Sequence, residues 1–228
     1  MAAFRTLGCA VLLLALTVPT LGQTAVQLQS RSEFWIEGRS SVNTFTCRVD
    51  TVHGRGRLAD VSSVSSRDAT AAAIDGAATE PRATIQASVR TFDCGKPQMT
   101  QDLKETLNAG EHPIIQFRLQ KVEDVSRPDT SGGWYRLKAL GFLTISGTER
   151  LVRVSAWGRP LSDSIYRVHG CKAIDMTYFG IEPPTKFFGL VKVHDRVEVH
   201  FDLLAETNPN SDSTPATLAL TNPPTCYE

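Results

Sequence analysis

The sequence predicts an all-β domain: about eight or nine antiparallel strands sharing one buried face, with a single short helix. Three observations predict it. From residue 34 onward, apolar side chains recur mostly at every second position, the period of a strand with one face buried. Segments rich in Gly, Asn, Asp, Ser and Pro punctuate these runs. Only residues 98–108 carry helical spacing instead, through Met99, Leu103 and Leu107. The chain has 228 residues, 41% apolar and 21% charged, enough for one globular domain with a sizeable core.

Taken in order, residues 1–22 read as a secretory signal peptide. Arg5 supplies the positive start, residues 10–18 a short apolar run that Pro19 breaks, and Gly22 or Ala25 a small-residue cleavage position. Cys9 precedes the apolar run, which does not fit a lipoprotein signal. Strands are expected over residues 34–49, 58–65 and 85–90, where Ile85-Gln86-Ala87-Ser88-Val89-Arg90 alternates cleanly. The helix over 98–108 follows, with Gly110 as its stop. Further strands are expected over 115–120, 134–146, 151–157 and 165–179, and over 197–203, which alternates most cleanly of all. Residues 127–133 are a loop by composition, and Ser146-Gly147-Thr148-Glu149 a tight turn with Gly147 at positive φ. The domain spans 23–205, and residues 206–228 form an irregular tail rich in Asn, Pro, Ser and Thr. Strands with one apolar face must close into a barrel or stack as a sandwich, and periodicity does not separate the two.

Composition excludes several function classes. Cleavage after residue 22 leaves 23 basic against 24 acidic residues, so no global field gathers nucleic acid. No later run reaches the ~18–20 apolar residues of a stable membrane span. The mature chain is expected to be soluble and exported, periplasmic or secreted. Its four cysteines, Cys47, Cys94, Cys171 and Cys226, favour disulfides, with three pairings open and no zinc spacing.

Chemistry is sparse. His194 and His200 share a strand face opposite Val197 and Val199, so they are expected at the solvent, as are Glu198 and Asp202. His169-Gly170-Cys171 needs a free thiol to act as a nucleophile, which an exported cysteine rarely keeps. His53-Gly54-Arg55-Gly56-Arg57 reads as a basic loop. Its match to GxGxxA lacks the strand–helix setting of a dinucleotide site. Asp102 and Glu105 fall on the helix and are expected to face water. No catalytic set, metal site or cofactor is expected.

Several segments together resemble the YceI-like family. Gly141-Phe142-Leu143-Thr144-Ile145-Ser146-Gly147 is similar to its G-x-LTI-x-G segment. In the family's order stand Phe34-Trp35-Ile36-Glu37-Gly38 with Phe45-Thr46-Cys47, then Phe92-Asp93-Cys94-Gly95 and its helix. After them come Pro113-Ile114-Ile115-Gln116-Phe117 and Phe179-Gly180-Ile181. The resemblance covers roughly residues 33–205. It implies a lipocalin-like antiparallel β-barrel of about eight strands that binds a long isoprenoid or similar apolar ligand, with no catalytic residues. Some members have His-Ser and Arg-Asp where this chain reads Arg39-Ser40 and Gln101-Asp102. On this reading the alternation offers Ile85, Val89, Ile115, Phe117, Phe142, Val199 and Phe201 as ligand-binding side chains. The resemblance also implies Cys47–Cys94 and, with it, Cys171–Cys226, which would tether the tail. The partner is then an isoprenoid or other long-chain lipid, with a homodimer left open. The alternative is a filled barrel that binds a protein through its loops.

Overall fold

The computed structural model describes residues 23–59, 82–126, 133–186 and 188–207. The expected signal peptide and the expected tail beyond residue 207 lie outside them. The described residues form thirteen strands: β1 (Gln23–Leu28), β2 (Glu33–Arg39), β3 (Thr44–Val49), β4 (Val52–Ala59), β5 (Arg82–Ser88), β6 (Phe92–Asp93), β7 (Ile114–Ser126), β8 (Tyr135–Ile145), β9 (Thr148–Pro160), β10 (Ile165–Asp175), β11 (Thr185–Lys186), β12 (Val191–Lys192) and β13 (Arg196–Thr207). Among the described residues one α-helix, α1 (Pro97–Thr106), lies between β6 and β7.

Eight staves form a closed antiparallel barrel, because three of them are bent strands counted in halves. The halves are β1 with β2, β3 with β4, and β5 with β6. The last stave closes the ring. β13 pairs with β10 along one edge, and along the other it pairs with β2 through residues 198–202 and with β1 through residues 205–207. Ser32 sits at the bend between β1 and β2, 4% exposed. The Leu204 N–H donates to its hydroxyl at 3.1 Å, and the Gln29 N–H donates to the Leu204 carbonyl at 2.8 Å. A side chain thus replaces the missing ladder bond, so the stave bends without orphaning a buried amide.

The β8–β9 turn fits its expectation. Ser146 and Gly147 both take positive φ, 46° and 76°, the geometry of a two-residue hairpin loop. The helix also forms, with Pro97 in its first turn, where a missing N–H costs nothing.

Other expectations need correction. Residues 34–49 are two strands divided by a turn, in which Ser40 and Asn43 bond to each other. The stretch 53–57 is part of β4 and not a loop. Gly54 and Gly56 occupy positions where a Cβ would lie 2.5 Å from Leu28 and 2.6 Å from the Arg82 carbonyl oxygen. Glycine erased the apolar signal there because close backbone approach needs it. β7 runs on to Ser126 across two register shifts against β8, which scrambled the period beyond Gln120. Residues 176–179 leave the strand as a 3₁₀ turn.

Cys47 and Cys94 are bonded. Cys171 is also in a disulfide, while its expected partner Cys226 lies outside the described residues. The first bridge joins β3 to the segment that enters α1, across a separation of 47 residues. In the chain-entropy model a loop of that length contributes about 4 kcal/mol. Replacing both cysteines by alanine should lower the unfolding free energy by about that amount, as read from the urea midpoint of the purified protein.

Candidate functional site

Alternation sends one side of each stave inward, and at one end of the barrel those side chains do not meet. They enclose a cavity of about 500 Å³. Its walls are Phe34 and Ile36 of β2, Phe45 and Cys47 of β3, Ile85 and Ala87 of β5, Ile115 and Phe117 of β7, Leu143 and Ile145 of β8, and Val197 and Val199 of β13. Met99 and Leu103 of α1, with Leu107 just beyond it, cover part of the opening, and Val191 and Val193 on the β12 side cover another part. The helical spacing seen in the sequence is therefore the apolar face of a cover. Leu107 is pinned to the barrel where the Ser146 hydroxyl donates to its carbonyl at 2.7 Å.

Glycines help keep the interior open by letting aromatic rings lie against the wall. A Cβ on Gly38 would fall 2.3 Å from the Phe45 ring, and one on Gly141 2.4 Å from the Phe117 ring. Gly170 stands in the same relation to Phe201 at 2.6 Å. A side chain at any of these positions would push its ring toward the lumen.

The expected binding residues divide accordingly. Ile85, Ile115, Phe117 and Val199 are in the wall. Val89 is 1% exposed in the turn after β5 and packs in the solid core instead. Phe201 packs against that core and Gly170, outside the cavity lining. Phe142 is on the outer face, with the Arg118 guanidinium 5.3 Å from its ring. Leu143 and Ile145 point inward in its place. Both faces of Leu140-Gly141-Phe142-Leu143 are apolar, so alternation alone left a tie. The fit of Phe117 over Gly141 breaks it.

Polar groups are confined to the rim. Ser40, Asn43, Lys96, Gln98, Asp102, Thr106 and Lys186 are the polar side chains among the lining residues. Asp102 does not simply face water, as expected. Lys186 of β11 donates to its Oδ1 at 2.8 Å, and Gln98 donates to the same oxygen at 2.9 Å. Burial acts to raise the Asp102 pKa, but these two bonds outweigh it and hold the carboxyl below its ordinary value. The Lys186 ammonium is raised by the same contact. One ion pair thus ties the helix to the β11–β12 hairpin across the mouth. Exposed pairs of this kind add little to global stability, because solvent screens them and two long side chains must be ordered. Lys186→Met should leave the melting temperature within a few degrees, yet speed amide exchange in residues 185–192 and exchange of bound apolar probe. Unchanged exchange rates would show that the pair does not restrain the hairpin.

A second titratable cluster lies on the outer face. Asp202 accepts from Arg167 Nε at 2.8 Å, and His169 Nδ1 is 3.9 Å from it. His200 stacks on Trp35 with ring centroids 5.0 Å apart. The side chains of His200 and Asp202 are only 12% and 18% exposed, so the expectation of solvated groups fails although their face was right. Glu198 and His194 are exposed as expected. Burial pushes the His169 pKa down, with Arg167 and His200 adding to the effect and Asp202 opposing it. A histidine held neutral in the fold costs stability once the unfolded chain can take up the proton. Stability is therefore full above the ordinary histidine pKa of about 6.5 and falls as pH drops through it toward the folded value. His169→Gln should flatten the decline in urea midpoint between pH 7.5 and pH 5.5 relative to the parent protein.

A family model described as the YceI-like domain matches residues 28–205. The chain belongs to the YceI-like family. Two solved structures share the fold. BcnA of Burkholderia cenocepacia superposes with a TM-score of 0.55 at 16% identity, covering 76% of this chain and 96% of that one. A polyisoprenoid binding domain from Saccharophagus degradans, implicated in plant cell wall breakdown, superposes with a TM-score of 0.56 at 11% identity, covering 80% of this chain and 98% of that one. No curated protein matches the sequence.

Proposed function

We propose that this YceI-like barrel is an exported carrier that holds a long isoprenoid or similar apolar lipid in its cavity and performs no chemistry on it. The observation that carries this reading is the lining: hydrocarbon along the walls, with the polar side chains gathered at the mouth. A volume of about 500 Å³ lies within the range of small-ligand sites, roughly 300–1,000 Å³. Burial of a methylene is worth ~0.8 kcal/mol, and micromolar binding needs ~8 kcal/mol. About ten buried carbons meet that gross requirement, and a longer chain offsets the entropy lost on ordering it. The polyisoprenoid binding of the Saccharophagus domain supports the same class of cargo. Export is supported by the apolar leader and by a disulfide that an oxidising compartment maintains.

The alternative, a filled barrel used only as a scaffold for loops, finds less support in an interior with this much space. An enzymatic reading needs ionisable groups facing the interior. Here Lys96, Asp102 and Lys186 stand at the rim, two of them neutralising each other.

Native mass spectrometry of the protein from its exported fraction, before and after denaturing extraction, tests the reading. An excess mass that leaves as an apolar polyisoprenoid is the expected result. A bare protein that takes up no added isoprenoid would overturn it. Phe117→Trp should reduce lipid loading at least tenfold with little change in thermal stability, whereas Phe142→Ala on the outer face should load normally.

A further inference from the structure

The described residues include eight large hydrophobic side chains that are substantially exposed, and the three most exposed of them are on two loops that hydrogen bonds join. Phe188 is 110% exposed, Leu190 79% and Val42 68%. Phe188 and Leu190 are on the loop between β11 and β12, and Val42 is in the β2–β3 turn. Hydrogen bonds join these two loops. The Ser41 N–H donates to the Lys192 carbonyl at 2.9 Å, the Lys192 N–H donates to the Ser41 hydroxyl at 3.2 Å, and that hydroxyl donates to the Leu190 carbonyl at 3.3 Å. The loops therefore present one apolar tip. Ser40, Asn43, Lys186 and Val191 flank the three residues in sequence and line the cavity mouth.

Two further observations indicate what meets this tip. Phe188 holds a φ of 56°, a left-handed conformation that bulky side chains avoid. An unfavourable backbone that places a phenyl ring in water gains nothing within the folded chain, and such strain collects at functional surfaces. The exposed side chain of Lys96 stands on the same rim, and those of Arg39 and Lys192 are next in sequence to its residues Ser40 and Val191, while the Lys186 ammonium is neutralised by Asp102. An apolar tip ringed by cations complements an anionic lipid bilayer: the rings and branched chains enter the interface while the ammonium groups stay among the headgroups. No helix among the described residues is long and apolar enough to cross a membrane, so the contact is peripheral.

We propose that the protein docks, cavity mouth first, on the surface of an anionic bilayer through Val42, Phe188 and Leu190, with Arg39 and Lys192 facing the headgroups. This goes beyond the cargo reading and stands without it. Docked in this way, the mouth opens into the hydrocarbon, and an apolar chain can pass between bilayer and barrel without crossing water.

Vesicle flotation of the full-length mature protein tests the proposal. The parent protein is expected to float with vesicles of mixed phosphatidylglycerol and phosphatidylcholine, and more weakly with phosphatidylcholine alone or at high salt. Phe188→Ser/Leu190→Ser should reduce partitioning at least tenfold on both vesicle types. Arg39→Gln/Lys192→Gln should reduce it on the anionic vesicles only. Both pairs are at exposed positions, and their circular dichroism melts should match that of the parent. In a second measurement, Phe188→Trp should gain emission that lipids with brominated chains quench, above the background of the native tryptophans. Three results would each overturn the proposal: a parent protein that floats on neither vesicle, a double serine variant that floats as the parent does, or added emission from Phe188→Trp that brominated chains leave unquenched. Lipid content is measured separately by extraction. A protein that floats but carries no isoprenoid retains docking and loses the cargo reading, and one that is loaded but never floats does the reverse.

Discussion

The structure depends on one strand having no free edge. β13 is paired along its length with β10 and, on its other side, with both halves of the first stave. Without that closure the sheet would present two rows of unpaired amides and carbonyls at its margins. With it, the inward face of every stave is committed to one interior, and eight staves make that interior just wide enough for a single ligand. Closure also explains the bends. A short barrel built from long staves must turn corners, and the kinks at Ser32 and after Val49 fall between halves that keep the same neighbouring staves, while after the kink at Val89–Thr91 β6 keeps only the β3 side.

Whether a closed interior is filled or hollow is then settled by a few side chains. Gly38, Gly141 and Gly170 let Phe45, Phe117 and Phe201 lie back against the wall. Toward the Phe201 and Leu203 end the core is solid, with Leu203 5% exposed and Phe201 packed against the same cluster. Toward the α1 end it is not. The helix, the hairpin and the Cys47–Cys94 bridge all belong to that hollow end. The segment that must cover a cavity without filling it is thus covalently anchored to the wall.

The sequence made the staves legible wherever one face was apolar and the other polar. The clean alternation of residues 197–203 identified both the strand and its inward side, and the spacing of Met99, Leu103 and Leu107 identified a helix whose apolar face is the cover. Legibility failed where glycine stood in for an apolar residue, as at Gly54 and Gly56, and where a register shift reversed the period, as beyond Gln120. It failed at Gln23–Leu28 as well, a strand next to the expected cleavage position that was not read as one. Alternation assigns a side chain to a face and says nothing of what lies on that face. His200 and Asp202 were correctly turned outward, yet Trp35 and Arg167 meet them there and take them out of water. The cavity was the least legible feature, because a packed core and a lined cavity require the same pattern of apolar residues. The difference lies in ring–glycine fits between strands far apart in sequence.

A hollow core also has an energetic consequence. Side chains that line a cavity forgo part of the packing contacts that a filled core would give them. The closed sheet and the Cys47–Cys94 disulfide reinforce the fold around that cavity. An occupant that restores the missing contacts stabilises the same state, by an amount that grows with the ratio of its free concentration to its dissociation constant. Stability and occupancy are therefore two readings of one equilibrium, and the elements that reinforce the hollow end, α1, the hairpin and the disulfide, are those that a bound chain would touch or pass.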